Sequence, residues 1–201
     1  MEPIKVFKEL FISDARRYLN NQEFERLEKG GLFRCYVMSR KIAGLRFSFW
    51  MRLCGILQGR KAWIPLYAFA LNRYNHYKFK FGINIPFITQ IGKGFYIGHF
   101  GCIVVNQGTI IGNNVNISQG VTVGATNRGD KTGPPIIGNE VYIGPGAKII
   151  GAIKVGNNVA IGANAVVTHD VPDNAVVGGV PARIISMKGT EGYVNRKYEN
   201  T

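Results

Sequence analysis

The order of apolar and polar positions changes character near residue 82. From residue 85 to 168 an aliphatic residue, usually followed by Gly, returns every six positions: Ile91-Gly92, Ile97-Gly98, Ile103, Ile111-Gly112, Ile117, Val123-Gly124, Ile137-Gly138, Ile143-Gly144, Ile149, Val155-Gly156, Ile161-Gly162 and Val167. Twelve such positions make four turns of three. Each unit reads as a short strand plus a turn, with the aliphatic side chain pointing inward and Gly or Asn accepting the positive φ of the corner. Stacked turns predict a prism-shaped parallel β-helix; a flexible Gly-rich linker would not fix the spacing of Ile and Val. The register breaks twice, with a spacing of eight from Ile103 to Ile111 and of fourteen from Val123 to Ile137. Insertions in such arrays leave one corner as loops, so residues 125–136 are expected to be extruded.

Upstream, the apolar spacing turns helical. It predicts a helix from Ser13 to Lys29, with Ser13 as N-cap and Gly30-Gly31 as its stop, a second from Arg34 to Gln58, and a third from Trp63 to Phe79. These helices are expected to cover the open edge of the β-helix. The resulting division is an α-helical region over 1–82, a β-helix over 83–185 and a polar tail over 186–201, the tail expected to be loosely ordered.

Charge sharpens this division. Residues 1–82 carry sixteen Lys and Arg against six Asp and Glu, and the remainder nine against six. Between Glu28 and Asp130 there is no acid at all, while Trp50, Trp63, Tyr67, Phe69 and other aromatics crowd the same stretch. Two readings stand side by side. Such a region suits an anionic membrane interface, or the aromatics form a helical core with the basic residues solvating its outside. Nucleic acid is not expected as a partner, because no nucleic-acid-binding signature accompanies the charge. Cys35, Cys54 and Cys102 lack CxxC spacing and read as free thiols. The first ten residues lack the uncharged core of a signal peptide, and no apolar run reaches the roughly 18 to 20 residues of a membrane span. A cytoplasmic protein is expected, with a peripheral place at the inner face of the membrane under the first reading.

Three stretches carry a resemblance: Ile91-Gly-Lys-Gly-Phe-Tyr-Ile-Gly-His99-Phe-Gly-Cys-Ile-Val-Val, Ile117-Ser-Gln-Gly-Val-Thr-Val-Gly124, and Asp170-Val-Pro-Asp-Asn-Ala-Val-Val-Gly-Gly-Val-Pro-Ala-Arg183. Over about residues 82–185 the chain resembles the serine acetyltransferase-like branch of the hexapeptide acyltransferases. Within it, the chain looks closer to capsule and colanic-acid type polysaccharide O-acetyltransferases. The resemblance implies a left-handed parallel β-helix, a homotrimer and acetyl-CoA lying in the groove between subunits, with no metal.

Of the three histidines, His76, His99 and His169, only His99 occupies the family's catalytic place. Acetyl transfer to an alcohol needs a base to take the hydroxyl proton during attack, and imidazole suits that task near neutral pH. The family's orienting aspartate corresponds to Asn84, which can accept a hydrogen bond from the imidazole N–H or serve only as a strand-corner residue. The family's serine-binding acid corresponds to Gly98 and its second histidine to Pro134. Both departures argue against serine, and Gly98 reads as room for a bulkier sugar. By resemblance, Gly124, Ala125, Pro145 and Ala163 face the pantetheine arm, while Lys148 and Arg183 either meet phosphate charge or are solvated corner residues. A backbone amide between Val123 and Ala125 is the candidate oxyanion donor.

The expected function is acetyl-CoA-dependent O-acetylation of a cell-surface polysaccharide or a lipid-linked glycan precursor by direct attack. The alternatives are a serine or other small-metabolite O-acetyltransferase and a noncatalytic trimeric membrane scaffold. A zinc enzyme needs three converging histidines, a spacing that positions 76, 99 and 169 do not offer.

Overall fold

The computed structural model describes residues 3–199; positions 1, 2, 200 and 201, at the outer ends of the expected helical region and tail, lie outside the described residues. Five α-helices come first: α1 (Pro3–Arg16), α2 (Asn21–Glu28), α3 (Leu32–Ser39), α4 (Ala43–Leu57) and α5 (Ile64–Phe81). Two expected helices are therefore each divided. The first breaks where Asn20 caps α2, its side chain accepting from the Glu23 amide while Glu23 returns a bond to the Asn20 amide. Such a reciprocal cap starts a new helix. Ser13, expected as a cap, instead lies buried inside α1 and donates to the Leu10 carbonyl.

The second expected helix breaks at Ile42, whose backbone is extended. The reason is packing. Tyr36 of α3 meets Phe49 and Trp50 of α4 at ring-centroid distances of 5.9 and 6.1 Å. On one continuous helix, positions 36 and 49 would stand roughly 20 Å apart. α5 ends at Gly82, which adopts φ 60° and passes close beneath the Cys102 amide, where even a Cβ would be crowded.

The prism follows: β1 (Ile83–Asn84), β2 (Gln90–Ile91), β3 (Tyr96–Ile97), β4 (Ile103–Val105), β5 (Ile110–Ile111), β6 (Asn116–Ile117), β7 (Thr122–Gly124), β8 (Ile136–Ile137), β9 (Tyr142–Ile143), β10 (Lys148–Ile150), β11 (Lys154–Val155), β12 (Ala160–Ile161), β13 (Val166–Val167), β14 (Val176–Gly178) and β15 (Arg183–Ser186). They form three faces in the orders β1-β4-β7-β10-β13, β2-β5-β8-β11 and β3-β6-β9-β12-β14-β15, parallel except that β15 turns back antiparallel on β14. Every aliphatic position of the six-residue repeat lies in a strand, and all but Ile91, which is partly buried, are buried in the core. One apolar core runs continuously from the helices into the prism.

One corner of the prism is held by a stack of side chains. The amides of Lys93, Asn113, Asn139 and Asn157 donate in turn to Asn113, Asn139, Asn157 and Asp173 at 2.7–2.9 Å. The neighbouring Asn114, Asn158 and Asn174 take the positive φ that Asn tolerates well. The tail, expected to be loose, runs back along this side. Tyr193 stacks on Tyr142 at 4.6 Å, Thr190 bonds Asn158, and Tyr198 exchanges two backbone bonds with the Asn114 side chain. Its polar residues serve as partners for the Asn stack, which a count of apolar residues does not reveal.

The lower edge of the first coil has no coil beneath it, and helix side chains supply the missing partners. Arg52 donates to the Ile91 and Gly92 carbonyls at 2.6 Å, Arg17 to Gly94 O at 2.9 Å, and Tyr74 to Ile85 O at 2.8 Å. Ser13 Oγ accepts from the Gly94 amide and Asp14 from the Phe95 amide. Arg52 also holds Asp14 through two 3.0 Å bonds. Asp14 is fully buried and Arg52 is 7% exposed. Burial pushes the Asp14 carboxyl above the usual carboxylate range, while Arg52 and the Phe95 amide pull it back.

Candidate active site

His99 stands in the turn between β3 and β4, exposed. What fixes this turn is its surroundings. Ile97, two residues before it, is buried, and the Tyr18 hydroxyl both accepts from its amide at 2.7 Å and donates to its carbonyl at 3.2 Å. Burial pushes the Tyr18 hydroxyl well above the ordinary tyrosine range, so it remains a donor. Gly44 of α4 makes the approach possible, since a Cβ there would fall 2.4 Å from Ile97 O and 2.8 Å from Tyr18 Oη. On the other side, Phe100 packs against Phe81 at the end of α5, ring centroids 5.2 Å apart.

The same corner recurs in each coil above. The Gly120 amide donates to Gly101 O, the Gly146 amide to Gln119 O, and the Asn164 amide to Pro145 O, at 2.8–2.9 Å. His99, Pro145 and Ala163 are thereby strung along one edge of the prism. Lys148 begins β10 just beyond this edge, and its ammonium is drawn onto the edge itself, donating to Gly120 O at 2.5 Å and Thr122 Oγ1 at 3.2 Å. Gly124 and Ala125 lie at the far end of the same face, where β7 runs into the extruded loop. Arg183 opens β15, exposed, with its guanidinium on the Ala182 carbonyl.

Asn84 lies exposed on β1, paired in register with Val104 of β4. It shares the first coil with His99, but neither side chain takes a hydrogen-bond partner among the described residues. The other two histidines stand elsewhere. His76 packs edge-on against Tyr77 of α5, and His169 bonds Thr168 near the upper end. Among the described residues, no group of three His, Cys, Asp or Glu is placed to hold a metal. Cys102 is exposed three residues beyond His99, whereas Cys35 and Cys54 are buried, with burial pushing the Cys54 thiol up to about 12.

The room expected at Gly98 is narrowed on one side. A Cβ on residue 98 would sit 3.2 Å from Tyr96 Cε1, and Tyr96 is itself held against Tyr18 at 4.5 Å. Pro134 belongs to the folded loop, which closes through an antiparallel Thr126 and Gly133 pair and lays Pro134 over Gly108. Lys131 fastens this loop to Asp170 at 2.9 Å. Tyr18, Asp14, Arg17 and Arg52 are the residues that sequence reasoning missed, because isolated polar side chains on helices read as solvated.

Comparison with known proteins agrees with this fold. Residues 134–169 match the model of the bacterial transferase hexapeptide family (six repeats). Serine acetyltransferase of Bacillus subtilis is 41% identical over 112 residues, 56% of this chain and 52% of its own length. The chain spans about half the length of the curated relatives it matches. The structure of serine acetyltransferase from Neisseria gonorrhoeae superposes with a TM-score of 0.65 at 30% identity, covering 92% of this chain and 68% of that one. Serine acetyltransferase from Brucella abortus in complex with coenzyme A gives a TM-score of 0.65 at 28% identity, covering 92% and 83%. The chain belongs to the hexapeptide-repeat transferases, and its fold is their left-handed parallel β-helix behind N-terminal helices.

These matches correct the functional expectation. The relatives are serine acetyltransferases, which overturns the assignment to the polysaccharide O-acetyltransferase branch and to a glycan acceptor. Gly98 adds no side chain here, but Tyr96 Cε1 stands 3.2 Å from where its Cβ would be, so the missing side chain does not by itself leave room for a sugar.

Proposed function

We propose that this chain is an acetyl-CoA-dependent O-acetyltransferase of a small hydroxyl-bearing metabolite, with serine, the acceptor of its relatives, as the first candidate. The observation that carries the reading is the single prism edge on which His99, Pro145 and Ala163 fall in the first, third and fourth coils, in a chain similar to a transferase that binds coenzyme A. His99 takes the acceptor's hydroxyl proton as that oxygen attacks the thioester carbonyl. The carbonyl oxygen becomes an oxyanion facing a backbone amide between Val123 and Ala125. The C–S bond then breaks, coenzyme A leaves as its thiolate, and the imidazolium returns the proton to sulfur. Asn84 turns toward the imidazole N–H and holds the tautomer; catalytic bonds often tighten only when substrates bind. Gly124, Ala125, Pro145 and Ala163 line the pantetheine path, Arg183 meets phosphate charge, and Lys148 shapes the edge. The working unit is a homotrimer, whose neighbouring subunit closes the groove.

The test is thiol release from acetyl-CoA by wild-type and His99→Ala proteins, with serine, small hydroxy acids and polyols as acceptors. Acceptor-dependent release that falls by about 10² to 10⁴ in the variant is expected. No release with any acceptor, together with no binding of coenzyme A, would overturn the reading. Mass by light scattering checks the trimer.

A further inference from the structure

The helical region carries an apolar groove of about 690 Å³. Its walls come from four helices: Ile4 and Phe7 of α1, Phe33 and Tyr36 of α3, Trp50 of α4 and Phe69 of α5. Trp50 forms the floor, edge-on to Tyr36 and, at 5.7 Å, to Phe69. The rim does not close over it, for Phe33 is 79% and Phe69 57% exposed. The groove is also separate from the candidate active site. Phe69 precedes Phe81, which supports the His99 turn, by about 18 Å along α5 at the helical rise.

Charge decides what the groove fits. Lys5 on α1, Arg34 on α3, Arg40 and Lys41 just after it, and Lys61 just before α5 are exposed. No Asp or Glu occurs on α3, α4 or α5. The two acids on the described part of α1 are engaged, Glu9 by Lys93 at 2.6 Å and Asp14 by Arg52. Glu25 and Glu28 of α2 are exposed nearby, but Arg73 lines the groove itself and cations outnumber acids across these helices. Exposed aromatic rings in such net-cationic surroundings match a bilayer interface, where rings enter the headgroup boundary and Lys and Arg meet anionic lipid. Among the described residues no helix is long and apolar enough to cross a membrane.

We propose that this groove and its basic rim dock the protein on an anionic lipid bilayer, with Phe33 and Phe69 entering the headgroup region. The experiment is co-sedimentation of the full chain with phosphatidylcholine vesicles, with and without phosphatidylglycerol, across a salt series. Binding that requires phosphatidylglycerol and weakens with salt is expected. The Phe33→Ser/Phe69→Ser protein, altered at exposed positions and checked for native circular dichroism, should lose roughly tenfold or more in partitioning. Arg34→Gln/Lys61→Gln should lose severalfold. Equal binding to neutral vesicles, or binding indifferent to both double variants, would overturn the proposal. So would absence of vesicle binding by a wild-type protein whose mass in solution falls on Phe33→Ser/Phe69→Ser, since the groove would then join copies of the chain.

Discussion

Ile97 and Ile143 occupy equivalent places on one face of the prism and both are fully buried, yet their backbones are satisfied in different ways. Ile143 is paired by strands on both sides, against Ile117 below and Ile161 above. Ile97 has Ile117 above it and the Tyr18 hydroxyl below. An inner coil therefore gets its partners from a repeat that any neighbouring coil reproduces. The first coil gets them from individual side chains on α1, in the turn just after it, on α4 and on α5, none of which a repeat reproduces. The consequence is local: stability of the inner coils is spread over many equivalent bonds, while the coil that carries His99 depends on a few residues.

The sharpest way to break this contrast is Asp14→Ala. It leaves the Arg52 guanidinium buried without its carboxylate and frees the Phe95 amide, so a loss of about 3–5 kcal/mol is expected. Chemical denaturation measures it, and a midpoint matching wild type would show that the helical cap is dispensable. Tyr18→Phe is milder. Removing one hydroxyl leaves two backbone groups of Ile97 unpaired, a loss of about 1–3 kcal/mol. Under the proposed chemistry the His99 turn also shifts, so kcat should fall roughly tenfold or more while KM for acetyl-CoA holds. An unchanged kcat would reduce Tyr18 to a packing residue.

The smallest effect belongs to the loop. The Lys131 hydrogen bond holds the Asp170 carboxyl below its ordinary value of 3.8, so the contact contributes above that pH and is lost as pH falls through the lower folded value. Asp170 is 60% exposed, which limits the contribution to at most about 1 kcal/mol after screening. Lys131→Ala should lower stability at neutral pH by no more than this amount and leave it unchanged below the folded value, which flattens the acid-side dependence in thermal melts taken across it.

What the sequence made legible follows the same contrast. A six-residue repeat of Ile and Val located every inner strand, because each coil states the same rule again. The alignment of His99, Pro145 and Ala163 follows from that register alone. The cap could not be read this way, since Asp14, Arg17 and Arg52 meet partners 38 to 178 residues distant and nothing local marks them as buried. The break at Ile42 was equally hidden, lacking Gly or Pro. Gly98 misled because a missing side chain says nothing about which neighbour narrows the space.

The prism has no length of its own. Each inner coil offers upward the same bonding edge that it receives from below, so one more complete coil spliced between two of them would find both surfaces ready. The helices fix where the stack begins, and β15, folding back antiparallel on β14, fixes where it stops. Modular extension of this protein is thus open in the middle and closed at both ends.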